Sequence, residues 1–310
     1  MARQAEATGL DGVLIVAKPA GPTSHDVVAL ARRLTGTRRI GHGGTLDPFA
    51  SGVLPLFLGF ATRLVEYHLG DDKAYRATVC FGATSATDDL DGELTPIEGP
   101  ALARDAVVAA LAGLVGPQDQ RPPSFSAIQV GGRRAYSFAR AGAPLDLPAR
   151  HVEVRRLDLL EWDAADPARP IAIVEVGCSA GTYVRSLARD LGVAVGSGAY
   201  LGALVRTRSG PFGLDRAVSL DALRAAASGG PEAVASLLLP PDAGLEALPA
   251  VTLTADEVVD ASKGRYVRPA AGIGGAGEGA IVRLHDPAGR LVGMARRKDR
   301  RLAPDKMAQP

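Results

Sequence analysis

Strand-like and helix-like stretches follow one another in this chain without a regular β-α-β alternation, and that order narrows its fold more than any other feature. It argues against a doubly wound sheet and for an α+β architecture. Gly12–Ala17 and Val53–Leu58 read as short buried strands, with Pro55 arguing against a central position for the second. Thr23 and Ser24 can cap a helix whose apolar residues Val27, Val28, Ala31 and Leu34 recur at helical spacing, and Gly36 ends it. Tyr75, Ala77, Val79 and Phe81 alternate along a strand from Ala74. Further helices are expected at Arg104–Leu114, Gly181–Leu191, Ser219–Ala227, Glu232–Leu239 and Ala255–Ser262. Further strands are expected at Val152–Trp162, Ile171–Cys178, Tyr200–Arg208, Ala280–Leu284 and Leu291–Arg296. Leu239–Gly244 is rich in proline and small residues, and a domain boundary is placed there.

A length of 310 residues suits about two domains. With 46% hydrophobic and 22% charged residues, the chain as a whole is not disordered, collagenous or disulfide-built. Its two cysteines, Cys80 and Cys178, form no zinc-type spacing and suit a reducing compartment. Met1–Leu10 is mixed and polar, unlike a secretory leader, and no apolar run is long enough to suggest a membrane span. A cytoplasmic protein is expected.

The net charge is only +1, but the charges are clustered. Basic groups gather at Arg32, Arg33, Arg38 and Arg39, at Arg133, Arg134 and Arg140, and at Arg296, Arg297, Lys298, Arg300 and Arg301. An acidic block runs through Asp71, Asp72, Asp88, Asp89, Asp91, Glu93 and Glu98. Near-neutrality with local basic patches fits a protein that turns one face toward nucleic acid, although each patch alone is more often a solvated surface.

The stretch Gly41-His-Gly-Gly-Thr-Leu-Asp-Pro-Phe-Ala-Ser-Gly-Val-Leu54 carries the chemistry. It holds one carboxylate, Asp47, between glycines that permit close approach of a bulky ligand and a proline that fixes the direction of the preceding residue. A lone acid in such a loop more often serves the turn itself. The stretch resembles, however, the catalytic motif of the TruB family of tRNA pseudouridine synthases, and differs from the His-Arg-Leu-Asp form of ribosomal-RNA relatives. Five further stretches match in order: Val16–Ser24, Asp72–Arg76, Pro122–Ala127 with Arg134–Tyr136, Gly181–Leu187, and Leu201–Arg208.

The resemblance implies a pseudouridine synthase catalytic fold, with a mixed, largely antiparallel sheet flanked by helices, over residues 1–245. It also implies an RNA-gripping insertion at about 121–150 and a small PUA-like, β-rich RNA-binding domain over 246–310. It implies conversion of the uridine at position 55 in the T loop of tRNA to pseudouridine, without cofactor or metal. Asp47 becomes the nucleophile, at C1′ of the sugar or at C6 of the base. Arg185 becomes the partner that keeps it ionised against desolvation. Tyr75 would stack on the target base, Tyr183 and Leu204 would line the uracil pocket, and His42 would lie beside the flipped nucleotide. Without the motif, Arg185 would be a surface helix arginine, Tyr75 a half-buried strand aromatic, and Tyr183 and Leu204 core. Gln129, Phe125 and Val205 depart from the family pattern, where lysine, tyrosine and arginine are usual. The expected partner is the tRNA T-arm stem-loop, bound by a monomer with no obligate protein partner and no membrane. The competing readings are an RNA-binding or tRNA-folding protein in which catalysis is secondary, and a guide-RNA-dependent relative that needs protein partners.

Overall fold

The computed structural model describes residues 9–99, 101–126, 128–143 and 145–308. Met1–Thr8, most of the segment read as unlike a leader, lies outside them, as do Ala127, Pro144 and the side chains of Arg133, Arg134 and Arg140 in the insertion.

The irregular element order builds one large mixed sheet. Its main strands are β1 (Gly12–Lys18), β2 (Ile40–His42), β3 (Ser51–Leu58), β4 (Lys73–Phe81), β5 (Gly116–Gln120), β6 (Arg150–Asp163), β7 (Ile171–Cys178), β8 (Ala199–Ser209) and β9 (Val218–Ser219), and the two-residue strand Phe212–Gly213 pairs with the end of β8. Their order is β9-β1-β3-β8-β4-β7-β6-β5, with β2 attached to β3. Neighbours on this path run antiparallel except β1 with β9 and β3 with β8. The helices are α1 (Ser24–Thr35), α2 (Arg104–Gly113), α3 (Ala135–Arg140), α4 (Val184–Ala194), α5 (Leu220–Ser228), α6 (Pro231–Ala235) and α7 (Ala255–Ser262).

Two apolar cores follow from the strand and helix periodicities. Val27, Val28 and Ala31 of α1 pack with Leu14, Val16, Leu54, Leu56 and Leu58 of β1 and β3. Tyr75, Ala77, Val79 and Phe81 of β4 pack with Val107 and Leu111 of α2 and with Val184, Leu187 and Leu191 of α4. The start of α1 is sealed by a reciprocal pair: Thr23 Oγ1 accepts from the Asp26 amide at 3.0 Å, and the Thr23 amide donates to Asp26 Oδ2 at 2.9 Å. Such a cap contributes about 1 kcal/mol. Gly36, at φ 67°, ends the helix in the left-handed region.

The two halves meet where β3 and β8 run parallel over just two register pairs, Ser51 with Val205 and Gly52 with Arg206. A Cβ on Gly52 would lie 2.2 Å from the Arg206 carbonyl oxygen, so only glycine allows this approach. The loop that carries Asp47 enters β3 at this seam.

Several expectations shift. β3 is central despite Pro55. The Pro55 carbonyl accepts from Gly43 N at 3.0 Å, so its missing N–H faces the side where β2 has already ended at His42. The helix expected from Gly181 starts at Val184, because Tyr183 is extended at φ −97°, ψ 111°. The helix expected at Glu232–Leu239 stops at Ala235, and Leu239 instead exchanges two hydrogen bonds with Val13 at 3.0 and 2.9 Å.

Beyond the large sheet, β10 (Ala250–Thr252), β11 (Ile281–His285), β12 (Leu291–Lys298) and β13 (Arg301–Met307) form a separate sheet in that order. Its own core gathers Val251, Leu253, Ala261, Val282, Leu284, Ala295 and Leu302. It is joined to the rest by an apolar contact of Met294 with Phe60, Leu64 and Leu245, and by Arg283, whose Nη1 lies 2.9 Å from buried Asp242. Among the described residues no helix is long and apolar enough to cross a membrane.

Candidate active site

The loop between β2 and β3 is held at three points by buried polar side chains. Ser24 Oγ donates to the Leu46 carbonyl at 3.0 Å and accepts from the Leu46 amide at 2.9 Å. Arg206, 1% exposed, donates from Nη2 to Gly44 O and from Nη1 to Thr45 O, each at 3.2 Å, and from Nε to Val53 O at 2.7 Å. Lys18, equally buried, donates to the carbonyls of Pro19, Pro22 and Pro48 at 2.9, 2.7 and 3.2 Å. Burial lowers the Lys18 pKa to about 8, against the opposing pull of Asp47. Carbonyls on both sides of Asp47 are thus fixed before any ligand arrives.

Asp47 itself remains reachable, with its side chain 33% exposed. Facing it is Arg185 in the first turn of α4, only 5% exposed, with Nε 3.0 Å from Asp47 Oδ2. The Nε–H is not aimed along that line, so the contact is one of charge rather than an aligned hydrogen bond. The other guanidinium nitrogens are committed elsewhere: Nη1 donates to Thr87 O at 3.1 Å and lies 3.4 Å from Asp89 Oδ2, and Nη2 donates to Phe125 O at 3.0 Å. One cation therefore serves two carboxylates. Burial raises the Asp89 pKa, opposed by the Thr87 hydroxyl and by Arg185. Asp88 is also raised by burial, opposed chiefly by Arg189, whose Nη1 lies 2.9 Å from Asp88 Oδ2. This part of the acidic block is a packed ion-pair network rather than a solvated face.

Tyr75 and Leu204 belong to the same buried cluster as Leu46 and Val184. They come from the neighbouring strands β4 and β8, where Tyr75 pairs with Arg206 and Ala77 with Leu204. Burial pushes the Tyr75 phenol up to about 12, so it stays neutral, and the Arg206 guanidinium acts against that rise. Tyr183, half-buried at the start of α4, also has its pKa raised, mainly by burial. The charge of Asp47 is felt at Lys18, Tyr75, Asp89 and Tyr183.

The structure brings Asp47 and Arg185 into direct contact, sets Tyr183 two residues before Arg185 at the start of α4, and packs Tyr75 and Leu204 with Leu46 and Val184, the neighbours in sequence of Asp47 and Arg185. His42 stands slightly apart. Its Nδ1 accepts from the Gly44 amide at 3.3 Å, and burial lowers its pKa, helped by the neighbouring His25 and Arg206. It is neutral near pH 7, able to stack or to donate one hydrogen bond.

Lys18, Ser24, Asp89 and Arg206 support the site and were not singled out from the sequence. Lys18, Ser24 and Arg206 lie inside the matched stretches Val16–Ser24 and Leu201–Arg208, and a lysine closing the apolar run of β1 was a further signal, since a buried lysine requires a structural or chemical partner. A reachable carboxylate paired with a buried guanidinium suits covalent or general-base work.

Comparison with known proteins gives a consistent result. The profile of the TruB family pseudouridylate synthase N-terminal domain matches residues 32–184, and that of the tRNA pseudouridylate synthase B C-terminal domain matches residues 185–246. A tRNA pseudouridine synthase B of Symbiobacterium thermophilum is 46% identical over 254 residues, 82% of each chain. A protein of the same name from Thiobacillus denitrificans is 42% identical over 306 residues, covering 99% of this chain and 97% of its own. Among solved structures, a Cbf5–Nop10–Gar1 complex contains a chain with a TM-score of 0.72 and 28% identity, covering 97% of this chain and 86% of that one. With Asp47 placed in the motif that first suggested it, and with relatives this similar over this much of its length, the chain belongs to the TruB family of pseudouridylate synthases.

Proposed function

We propose that this protein isomerises the uridine at position 55 in the T loop of tRNA to pseudouridine, with Asp47 as nucleophile. The observation that carries the reading is the reachable Asp47 carboxylate held 3.0 Å from buried Arg185. The names of the similar proteins support tRNA as the substrate.

In this reading the uridine is extruded from the folded loop, at a cost of a few kcal/mol of unstacking, offset by contacts in the site. Tyr75 stacks on the base, Tyr183 and Leu204 line its pocket, and His42 lies beside the flipped nucleotide. Asp47 bonds to C1′ or to C6, with the Arg185 guanidinium 3.0 Å from the carboxylate. The bond from C1′ to N1 breaks, the base turns, and a bond from C1′ to C5 forms. The base loses the C5 proton and gains one on N1, and Asp47 is released unchanged. Covalent assistance and positioning supply the acceleration.

The unit spanning residues 1–245 performs the chemistry, the insertion at about 121–150 grips the RNA, and residues 246–310 add a second RNA-binding surface. The protein acts as a cytoplasmic monomer without an obligate protein partner. Mass mapping of pseudouridine in a T-arm stem-loop, incubated with the purified protein alone, tests this. One pseudouridine at the T-loop position is expected. Modification that requires an added guide RNA or proteins would overturn the reading in favour of a guide-dependent enzyme.

A further inference from the structure

The insertion leaves the large sheet after Gln120 and re-enters it at Arg150, and these two residues are paired across β5 and β6. Gln120 is therefore one half of the insertion's base. It is 2% exposed, and both atoms of its amide are used on one residue: Oε1 accepts from Tyr183 N at 2.8 Å, and Nε2 donates to Tyr183 O at 3.1 Å. Tyr183 has no side-chain cap of its own for α4. The Gln120 amide instead binds the backbone of this N-cap residue on both its N–H and its C=O, and the Tyr183 backbone is extended in that grip. The next residue continues the attachment, since the Arg121 carbonyl accepts from Ser186 Oγ at 2.9 Å and from Arg189 Nη2 at 3.0 Å. Residues 120 and 121 thus bind α4 on both sides of Arg185, the counter-ion of Asp47. A buried side-chain amide with both groups satisfied by one distant backbone residue fixes position in two directions at once.

We propose that Gln120 is a positioning residue for the isomerisation: it sets Tyr183 and Arg185 relative to Asp47 and ties that setting to the base of the RNA-gripping insertion. Gln120 does not touch the reacting atoms. It acts through Tyr183 and α4. The consequence is that the insertion, once seated on RNA, and the charge partner of Asp47 move as one unit. The inference rests on the proposed function above.

The test compares wild-type protein, Gln120→Glu and Gln120→Met on the T-arm stem-loop. Gln120→Met keeps side-chain length and removes both hydrogen bonds. Gln120→Glu keeps the acceptor for the Tyr183 amide and replaces the donor with an oxygen that repels the Tyr183 carbonyl. The single-turnover rate constant at saturating enzyme, the Kd for RNA and the Tm are measured on the same samples. The rate constant should fall roughly tenfold or more in Gln120→Met, because a displacement of about 1 Å at a site can cost up to a hundredfold, and it should fall less in Gln120→Glu. The Kd should change by less than about threefold, as expected when the lost interaction acts in the transition state. If Gln120→Met does not fold, the rate-against-Kd split in Gln120→Glu decides alone. A folded Gln120→Glu with the wild-type rate constant, or with a loss confined to Kd, overturns the proposal. Inactive wild-type protein would instead overturn the function on which it rests.

Discussion

Arg185 Nε lies 3.0 Å from Asp47 Oδ2, yet its N–H has no aligned acceptor among the described residues. The guanidinium is fixed by other groups, the carbonyls of Thr87 and Phe125 and the nearby carboxylate of Asp89. Asp47 therefore feels a positive charge without being locked to it in direction. Its oxygens stay free to turn toward a ligand beside a fixed positive charge.

Asp47→Asn should remove product formation and spare binding. The amide has nearly the shape of the carboxylate but is a far weaker nucleophile, and phosphate contacts elsewhere on the protein are unaffected. Pseudouridine in a T-arm RNA should drop at least about a thousandfold by mass mapping, with Kd within about threefold. Full activity would reject Asp47 as the nucleophile, and equal loss of binding would point to an RNA-folding role.

Arg185→Lys should fail although it keeps the charge. A lysine cannot reproduce the planar fork that reaches Asp47, Thr87 O and Phe125 O together. Two half-buried carbonyls and the buried Asp89 would each lose a partner, at a cost of about 2 kcal/mol or more in denaturant unfolding. Turnover should fall more than about a hundredfold, as for loss of an electrostatic stabiliser. Near-normal turnover would mean that the charge alone suffices.

What the sequence revealed and what it concealed have physical reasons. Period-two burial along β4 and the Thr23 cap of α1 are local, so Tyr75 and the helix start were legible. The strand Gly116–Gln120 was not, because an edge strand paired on one side with β6 has no apolar alternation to show. Arg301–Met307 was hidden in the same way by its charges and Pro304. The motif resemblance singled out Asp47 and Arg185. It gave no hint that Arg206 would hold Gly44 and Thr45, since that contact spans more than 160 residues and exists only once β3 and β8 meet.

Gly52→Ala should damage the seam more than the core. Its φ of 111° disfavours any side chain, and the added Cβ would lie 2.2 Å from Arg206 O and 2.6 Å from Arg206 N, both rigid backbone atoms. A loss of about 3 kcal/mol or more is expected from strain and displacement. The denaturation midpoint checks this, and a change below about 0.5 kcal/mol, as at an ordinary surface site, would show that β3 and β8 can separate freely.

RNA affinity should depend strongly on salt. Arg33, Arg38 and Arg39 are exposed and have no carboxylate within ion-pair distance among the described residues. Each phosphate contact contributes about 0.7 to 0.9 to the slope of log K against log salt. A total slope steeper than about −2 is expected, flattening by roughly one to two when Arg38 and Arg39 are both changed to alanine. An unchanged slope in the double variant would place the phosphates on another face.

Activity and stability should part company above pH 8. Lys18 has its pKa lowered to about 8 from the unfolded 10.5, and as a cation it uses all three N–H donors, on the carbonyls of Pro19, Pro22 and Pro48. Between those two values the unfolded chain binds a proton that the folded chain does not, so raising the pH through this window favours the fold as far as Lys18 is concerned. Loss of the proton nonetheless leaves Nζ with two donors for three carbonyls and removes a positive charge near Asp47. The single-turnover rate should therefore fall through about pH 8, while the Lys18 contribution to stability does not fall. Lys18→Met should abolish this alkaline fall and lower the rate at every pH. It should also destabilise the fold by roughly 1–3 kcal/mol through the unpaired carbonyls. A rate that stays level from pH 7 to 9 in the wild type, or an unchanged alkaline fall in Lys18→Met, would show that another group governs the Asp47 loop.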